Sequence, residues 1–375
     1  MAQSLTLFVC CFVMVLATSL RALLRGKLTP FAFSAAVLAA ALQPAAAFAG
    51  LTTLNQLFVF GDSFSDSGNS GALTANQVTP PPYYQNRYSN GKVAVEYFWE
   101  SFNPGNSSFQ ASQNGGTNYA LGGATSGSEN ALAVGNPSVP SFGGLANAWQ
   151  LQGFKTLSPT FDPATTLFTV WFFPNDVFYY YSTGKSAGTY AGVAGSPTTS
   201  DQIPGLAVNN VLSTVDELVA NGAQHFLVGN SPDLSKTPTF LNTPLAPTVA
   251  GLVKDFNDGL ASSLAAYGAL HPQLDITLFN TEQALNTIIQ NPSTYGLSNV
   301  TQPCLDATQL TLCSDPSTYL FWDVVHPTTK VHSILAQAMV QAVPGPAPAL
   351  GALAAFRWSR RMRKRLRAIS SSEAG

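Results

Sequence analysis

The 375-residue chain predicts an α/β fold with a central parallel sheet, on three observations. Apolar runs of strand length recur at 57–60, 167–172, 225–228 and 275–279. Longer stretches with helical periodicity follow at 203–220, 248–270 and 328–340. Strands that alternate with helices pair in parallel through right-handed crossovers, and no internal repeat suggests a solenoid instead.

Taken in order, the chain opens with a leader. Basic Arg21, Arg25 and Lys27 precede an apolar stretch at 31–42, and Ala47, Phe48 and Ala49 stand before Gly50. That order is the pattern of a secretory signal cleaved after Ala49. An earlier apolar segment at 5–20 contains Cys10 and Cys11. Either Met14 is the true start, leaving a conventional leader, or the leader is long or an uncleaved anchor.

The first strand runs directly into Gly61, Asp62, Ser63, Phe64, Ser65, Asp66, Ser67, Gly68 and Asn69, which delivers a serine onto a tight turn. Asp62, Asp66 and Asn69 are expected to bond the backbone of their own turn. A Gly-, Asn- and Ser-rich stretch at 104–144 reads as loops walling the site, and within it lie Asn118, Tyr119, Ala120, Leu121, Gly122, Gly123 and Ala124. The strand at 167–172 ends in Phe173, Pro174, Asn175 and Asp176. Asp176 fits either support of the site or a helix cap.

Cys304 and Cys313 bracket a polar loop and are expected to form a disulfide in an exported protein. The loop leads to Phe321, Trp322, Asp323, Val324, Val325, His326 and Pro327. A serine nucleophile needs a base to take its proton, and the base needs a group to fix its tautomer. Asp323 and His326, three residues apart, can supply both, with one ring nitrogen left for Ser63. Pro327 is expected at the first position of the last helix. Of the other histidines, His225 falls in an interior strand, His271 in an exposed loop and His332 on the last helix in a structural role. No metal-ligand cluster is visible and no cofactor is expected.

These blocks resemble those of the GDSL esterase/lipase family, also called SGNH hydrolases. The resemblance rests on the serine turn, the 118–124 block, the Asn175–Asp176 block and the terminal D-x-x-H-P block. It implies a three-layer, flavodoxin-like fold over 50–343 and makes Ser63, Asp323 and His326 the catalytic residues. It further implies an oxyanion hole of the Ser63 amide, Gly123 (with Gly122 as the alternative) and the Asn175 side chain. One departure is Phe173, where the family has glycine. Pro174 biases Phe173 toward extended backbone. If the glycine serves close approach, Phe173 narrows the site; if it serves positive φ, the Asn175 loop takes another path.

At the other end, Val343, Pro344, Gly345, Pro346, Ala347 and Pro348 lead into an apolar stretch at 349–356 and seven basic residues from Arg357 to Arg367. The tail, 344–375, resembles the PEP-CTERM sorting signal of Gram-negative bacteria, including cyanobacteria, which implies a processing protease as partner. A basic tail that touches acidic lipid is the competing account. Between the ends, 7 of the 17 Lys and Arg remain against 18 of the 19 Asp and Glu. That acidic balance disfavours nucleic acid as a partner.

The sequence therefore predicts an exported carboxylic ester hydrolase, located in the periplasm, at the cell surface or outside the cell. Its partners are an ester substrate, lipid or acylated small molecule, and transiently the membrane through its termini. Block details look closest to the lipase, phospholipase and hemolysin-like branch. A carbohydrate O-acetylesterase, or a non-catalytic surface protein on the same fold, is the alternative. Tyr83, Tyr84, Tyr88, Phe172, Phe173, Phe178, Tyr179, Tyr180 and Tyr181 are read either as acyl-pocket walls or as core.

Overall fold

Along the strands, successive side chains enter two different cores, because neighbouring residues of a strand point to opposite faces. The computed structural model describes Leu51 and residues 53–134, 142–306 and 311–343. The predicted signal segment and sorting tail lie outside the described residues.

Four strands form one parallel sheet in the order β1 (Gln56–Gly61), β2 (Thr166–Trp171), β3 (His225–Gly229) and β4 (Asp275–Phe279). Their register pairs Phe60 with Val170, Val170 with Val228 and Val228 with Leu278. The α/β class and parallel sheet expected from the sequence are thus present. Strand β2 is buried throughout, so it reads as a nearly continuous apolar run, as strands covered on both faces do.

Phe58, Phe60, Phe168, Val170, Phe226 and Val228 face one core. It is closed by α3 (Asn147–Leu157), α5 (Ile203–Ala220) and α6 (Ala246–Leu270). In α6 the buried Val249, Leu252, Val253, Phe256, Leu260 and Leu264 recur every three or four residues, the apolar stripe of a helix lying on a sheet. Leu57, Val59, Leu167 and Leu227 face the second core. That core is closed by α2 (Ala94–Phe102), α7 (Thr281–Gln290) and α8 (Thr329–Ala342). Helices on both faces of the sheet make three layers.

After β1 the chain passes through α1 (Asn69–Thr74) and α2, then returns along the free side of β1. There the amide of Val59 donates to Thr117 O, while the amides of Tyr119 and Leu121 donate to Val59 O and Gly61 O. So part of the 104–144 stretch read as loop is a buried edge segment rather than a wall. The chain then crosses to β2 on the other side of β1. The carboxyl end of β1 is therefore the topological switch point, where parallel sheets leave a crevice.

After β4, strands β5 (Asn299–Pro303) and β8 (Tyr319–Phe321) pair in parallel. Between them a small hairpin, β6 (Leu305–Asp306) and β7 (Thr311–Leu312), is closed by the Cys304–Cys313 disulfide. The helix expected to start at Pro327 starts at Thr329, with Thr328 as its cap. Pro327 instead bridges back to Phe321, which fixes the segment between them as a tight loop. His271, expected in solvent, is half-buried, its ring stacked on Tyr267 with centroids 4.2 Å apart.

Candidate active site

The serine turn is set by the end of β1. Gly61 is held at both backbone atoms by Gln150 of α3, which accepts from its amide at 3.0 Å and donates to its carbonyl at 2.8 Å. The next residues fold into a turn in which Ser65 N donates to Asp62 O and Phe64 N donates to Asp62 Oδ1. Ser63 sits at its crest, 8 % exposed.

Asp66 anchors the far side of the turn. Its carboxylate accepts from the amides of Gly68, Asn69 and Ser70, from Ser70 Oγ, and from the amide of Gly122 on the neighbouring loop. Asn69 donates to Asn118 O and Ala120 O, and Asn118 donates to Ser65 O and Ser67 Oγ. The expectation that Asp62, Asp66 and Asn69 bond the backbone of their own turn holds for the two aspartates, which also accept from Asn175 and Gly122 respectively, but not for Asn69, whose side chain bonds Ser112, Gln113, Asn118 and Ala120 instead. The Gly122 amide is thus committed to Asp66 and to Ser70 Oγ. A side chain there would also strike Tyr88, whose hydroxyl lies 2.1 Å from where a Cβ would stand. Gly123, with φ of +74°, has its carbonyl bound by the amide of Ala131 and its amide free of any hydrogen bond among the described residues.

Strand β2 leads to the next element, α4 (Pro174–Thr183), through Phe173. Phe173 does not take the extended backbone expected before Pro174: its φ is 128° and ψ −42°. It keeps the positive φ that glycine would supply. Its ring is fully buried and stacked on Phe256, centroids 4.1 Å apart, so Phe172 and Phe173 belong to the core and not to a pocket wall. Asn175 follows in the first turn of α4, 8 % exposed, with Nδ2 donating to Asp62 Oδ2 at 3.2 Å. Asp176 accepts from the amide and hydroxyl of Ser126, which ties α4 to the loop beyond Gly123.

Asp323 and His326 arrive on the loop between β8 and α8. The loop folds back because the Asp323 carboxylate accepts the amides of Val325 (2.8 Å) and His326 (2.7 Å), and Trp322 N donates to His326 O. His326 Nδ1 then lies 2.7 Å from Asp323 Oδ2, and His326 Nε2 lies 2.8 Å from Ser63 Oγ. The structure therefore joins Ser63, His326 and Asp323, which are 263 and 3 residues apart, in one hydrogen-bonded line.

Electrostatics follow from burial and pairing. Burial pushes the Asp323 carboxyl up, but the charge of His326 and the surrounding hydrogen bonds outweigh it and leave its pKa below the ordinary value. Burial raises Asp62 to about 7 and Asp176 to about 6. His332 is buried, accepts from the amide of Ala94, and is depressed to about 3, so it is neutral. His225 is also buried and pairs with Asp275 at the far end of β3.

Sequence reasoning did not assign Tyr83 its contact with Asp323, nor find Gln150 or Asn130. Tyr83 donates its hydroxyl to Asp323 Oδ2 at 2.8 Å. Asn130 donates to Gly122 O and Leu145 O, holding the loop that carries Gly123. No motif marks these residues, because each acts from a different part of the chain.

The chain is 26 % identical over 308 residues to a thermolabile hemolysin of Vibrio parahaemolyticus, covering 77 % of this chain and 63 % of the hemolysin. It is 24 % identical over 330 residues to a GDSL esterase/lipase of Arabidopsis thaliana, covering 75 % and 84 %. It is 26 % identical over 300 residues to an acetylesterase of Thermothelomyces thermophilus, covering 77 % and 88 %. Among solved structures, an acetylxylan esterase of Geobacillus stearothermophilus aligns with a TM-score of 0.40 and 14 % identity, over 79 % of this chain and 97 % of that one. The model of the GDSL-like lipase/acylhydrolase family matches residues 57–339, most of the chain, and the protein belongs to that family of serine esterases and lipases.

Proposed function

We propose that the protein is an exported carboxylic ester hydrolase working through an acyl-enzyme on Ser63. The observation that carries this reading is the Ser63 Oγ–His326 Nε2 contact of 2.8 Å, continued by His326 Nδ1 to Asp323 Oδ2 at 2.7 Å. Ser63 Oγ attacks the ester carbonyl carbon while His326 Nε2 takes its proton, and Asp323 stabilises the imidazolium. The carbonyl oxygen becomes an oxyanion that accepts from the amides of Ser63 and Gly123 and from Asn175 Nδ2. Asn175 has two N–H bonds and spends one on Asp62, which aims the other. His326 gives its proton to the leaving alkoxide, which departs as the alcohol. Water then attacks the acyl-serine and loses a proton to His326 Nε2. Collapse frees the carboxylic acid as that proton returns to Ser63 Oγ.

The test is hydrolysis of p-nitrophenyl esters, acetate through palmitate, by the full chain beside Ser63→Ala and His326→Ala. Loss of turnover in both variants supports the mechanism; equal rates in wild type and variants overturn it. An O-acetylesterase is the second reading, favoured by the likeness to an acetylesterase, and a sharp preference for acetate would select it.

Export rests on the sequence: the leader before Gly50 and the basic PEP-CTERM-like tail after Val343. On that reading a sorting protease removes the tail, and the termini meet the membrane only in transit. The amino-terminal sequence of the secreted protein tests it, and a start at Gly50 is expected.

A further inference from the structure

His326 Nδ1 reaches both oxygens of the Asp323 carboxylate, at 2.9 Å from Oδ1 and 2.7 Å from Oδ2, and each oxygen has further donors. Oδ1 is held by the amides of Val325 and His326, both from its own loop. Oδ2, the oxygen nearer to His326 Nδ1, receives one more donor, the hydroxyl of Tyr83 at 2.8 Å, from a residue 240 positions earlier in the chain. Without Tyr83, Oδ2 keeps only the histidine, while Oδ1 stays held by the two amides, so the Tyr83 hydroxyl is the one contact among the described residues that fixes Oδ2 from outside the loop.

Tyr83 is fixed independently of that bond. In its loop, Tyr84 N donates to Ser89 O, Ser89 Oγ donates to Pro327 O, and Asn90 Oδ1 accepts from the amide of Thr329. The carboxyl end of the Asp323–His326 loop is thereby fastened to the loop that carries Tyr83. The Tyr83 ring stands edge-on to Trp322 and Tyr88, and the Tyr88 ring packs on His326 with centroids 5.1 Å apart. Burial and the charge of Asp323 push the Tyr83 phenol above its ordinary value, so it remains a donor throughout the pH range of an ester assay.

We propose that Tyr83 is a positioning residue of the reaction, which fixes the Asp323 carboxylate and moderates the charge it presents to His326. The inference rests on the catalytic reading of Ser63, Asp323 and His326 given above. A hydrogen bond to one oxygen withdraws charge from the carboxylate, so its loss leaves Asp323 more strongly attractive to the imidazolium. The other ionisable groups facing the pair are Asp62 from the serine turn, Tyr88 from the Tyr83 loop, itself under the charge of Asp66, and His332 from α8. Because all of them persist in the variant, the change between two pH profiles reports Tyr83 alone.

The experiment compares the full chain with Tyr83→Phe, which keeps the ring and its packing, and with Tyr84→Phe, an exposed residue of the same loop. In Tyr83→Phe the acid limb of kcat/KM is expected to move about half to one pH unit upward, with plateau kcat reduced about tenfold and KM unchanged. Tyr84→Phe should match wild type. In an Asp323→Asn background, adding Tyr83→Phe should change kcat by less than about twofold, since coupled residues do not act additively. A second readout needs no turnover: the NMR titration midpoint of the His326 ring should lie higher in Tyr83→Phe than in wild type. If that midpoint and the pH profile both stay with wild type, the proposal is overturned. If wild type hydrolyses no ester but the midpoint moves, the coupling stands and the esterase reading fails.

Discussion

Phe173 holds a φ of 128° while its ring lies flat on Phe256, 4.1 Å away at an interplanar angle of 6°. A bulky residue in that region of backbone space stores about 1–3 kcal/mol of strain. The stack and full burial offset it, and so the loop keeps the path a glycine would give and still presents Asn175 two residues later. Phe256→Ala removes the stack and leaves the strain, with an expected loss of about 3–5 kcal/mol. Phe173→Gly loses the ring but releases the strain, so its cost should be smaller by about 1–3 kcal/mol. Urea unfolding of both variants measures the difference, and equal losses would mean that Phe173 is not strained. Hydrolysis should fall further in Phe256→Ala, where Phe173 stays strained without its stack and the Asn175 segment relies on its polar contacts to Asp62 and Ser126.

Asn175 spends one N–H on Asp62 and has the other available for the oxyanion. Asn175→Ala should lower kcat about 10²–10³-fold, or roughly 3–4 kcal/mol of barrier, with little effect on KM, because the interaction is made only once charge develops. Single-turnover kinetics on an activated ester separates the two parameters. A rise in KM at constant kcat would instead mark Asn175 as a contact to the bound substrate.

How much of the fold and the site is legible in the sequence depends on whether local chemistry or distant packing decides a position. The strands and the α5 boundaries at 203 and 220 follow from apolar runs and periodicity, and the structure has them there. The serine turn and the Asp323–His326 pair are legible because their geometry is local: three residues of spacing suffice to place a carboxylate on an imidazole. Helix α4 is obscured by Phe173 and Pro174, which taken alone argue for extended backbone. Its conformation is decided by Phe256, 83 positions away in number and invisible to any window. Tyr83 shows the same limit. Its ring reads as pocket wall or core, but its role at Asp323 arises only when the 80–90 loop is fastened to Pro327 and Thr329.

The Cys304–Cys313 disulfide braces the segment that leads to Asp323. Beside it, the amides of Cys304 and Leu305 donate to Phe321 O and Trp322 O, so the hairpin and the strand that leads into the Asp323–His326 loop share backbone bonds. Closing a loop of about ten residues is worth ~2–3 kcal/mol in chain entropy. Cys304→Ser with Cys313→Ser should lower stability by about that amount and lower kcat more than it raises KM. Thermal melts with and without reductant check the first part. An unchanged melt in reductant would show that the hairpin is held by its hydrogen bonds alone.

Asp176 gives a stability prediction with a definite sign. Its carboxyl is raised from 3.8 to about 6, first by burial, so the native state holds a proton that the unfolded chain releases. Its contribution is fully present below pH ~4 and is lost as pH rises through about 6. The shift corresponds to roughly 3 kcal/mol. Asp62, raised to about 7, acts in the same direction over a window extending about one unit higher, while His332, depressed to about 3, acts oppositely below pH ~6.5. Asp176→Asn isolates the first effect, because an amide can still accept from the Ser126 amide and can donate to the Ser126 hydroxyl now facing Asp176 Oδ1. The variant should gain stability relative to wild type as pH increases from 4 to 7. Urea unfolding at several pH values reads that difference directly, and parallel curves for the two proteins would show that Asp176 is ionised in the native state across the whole range.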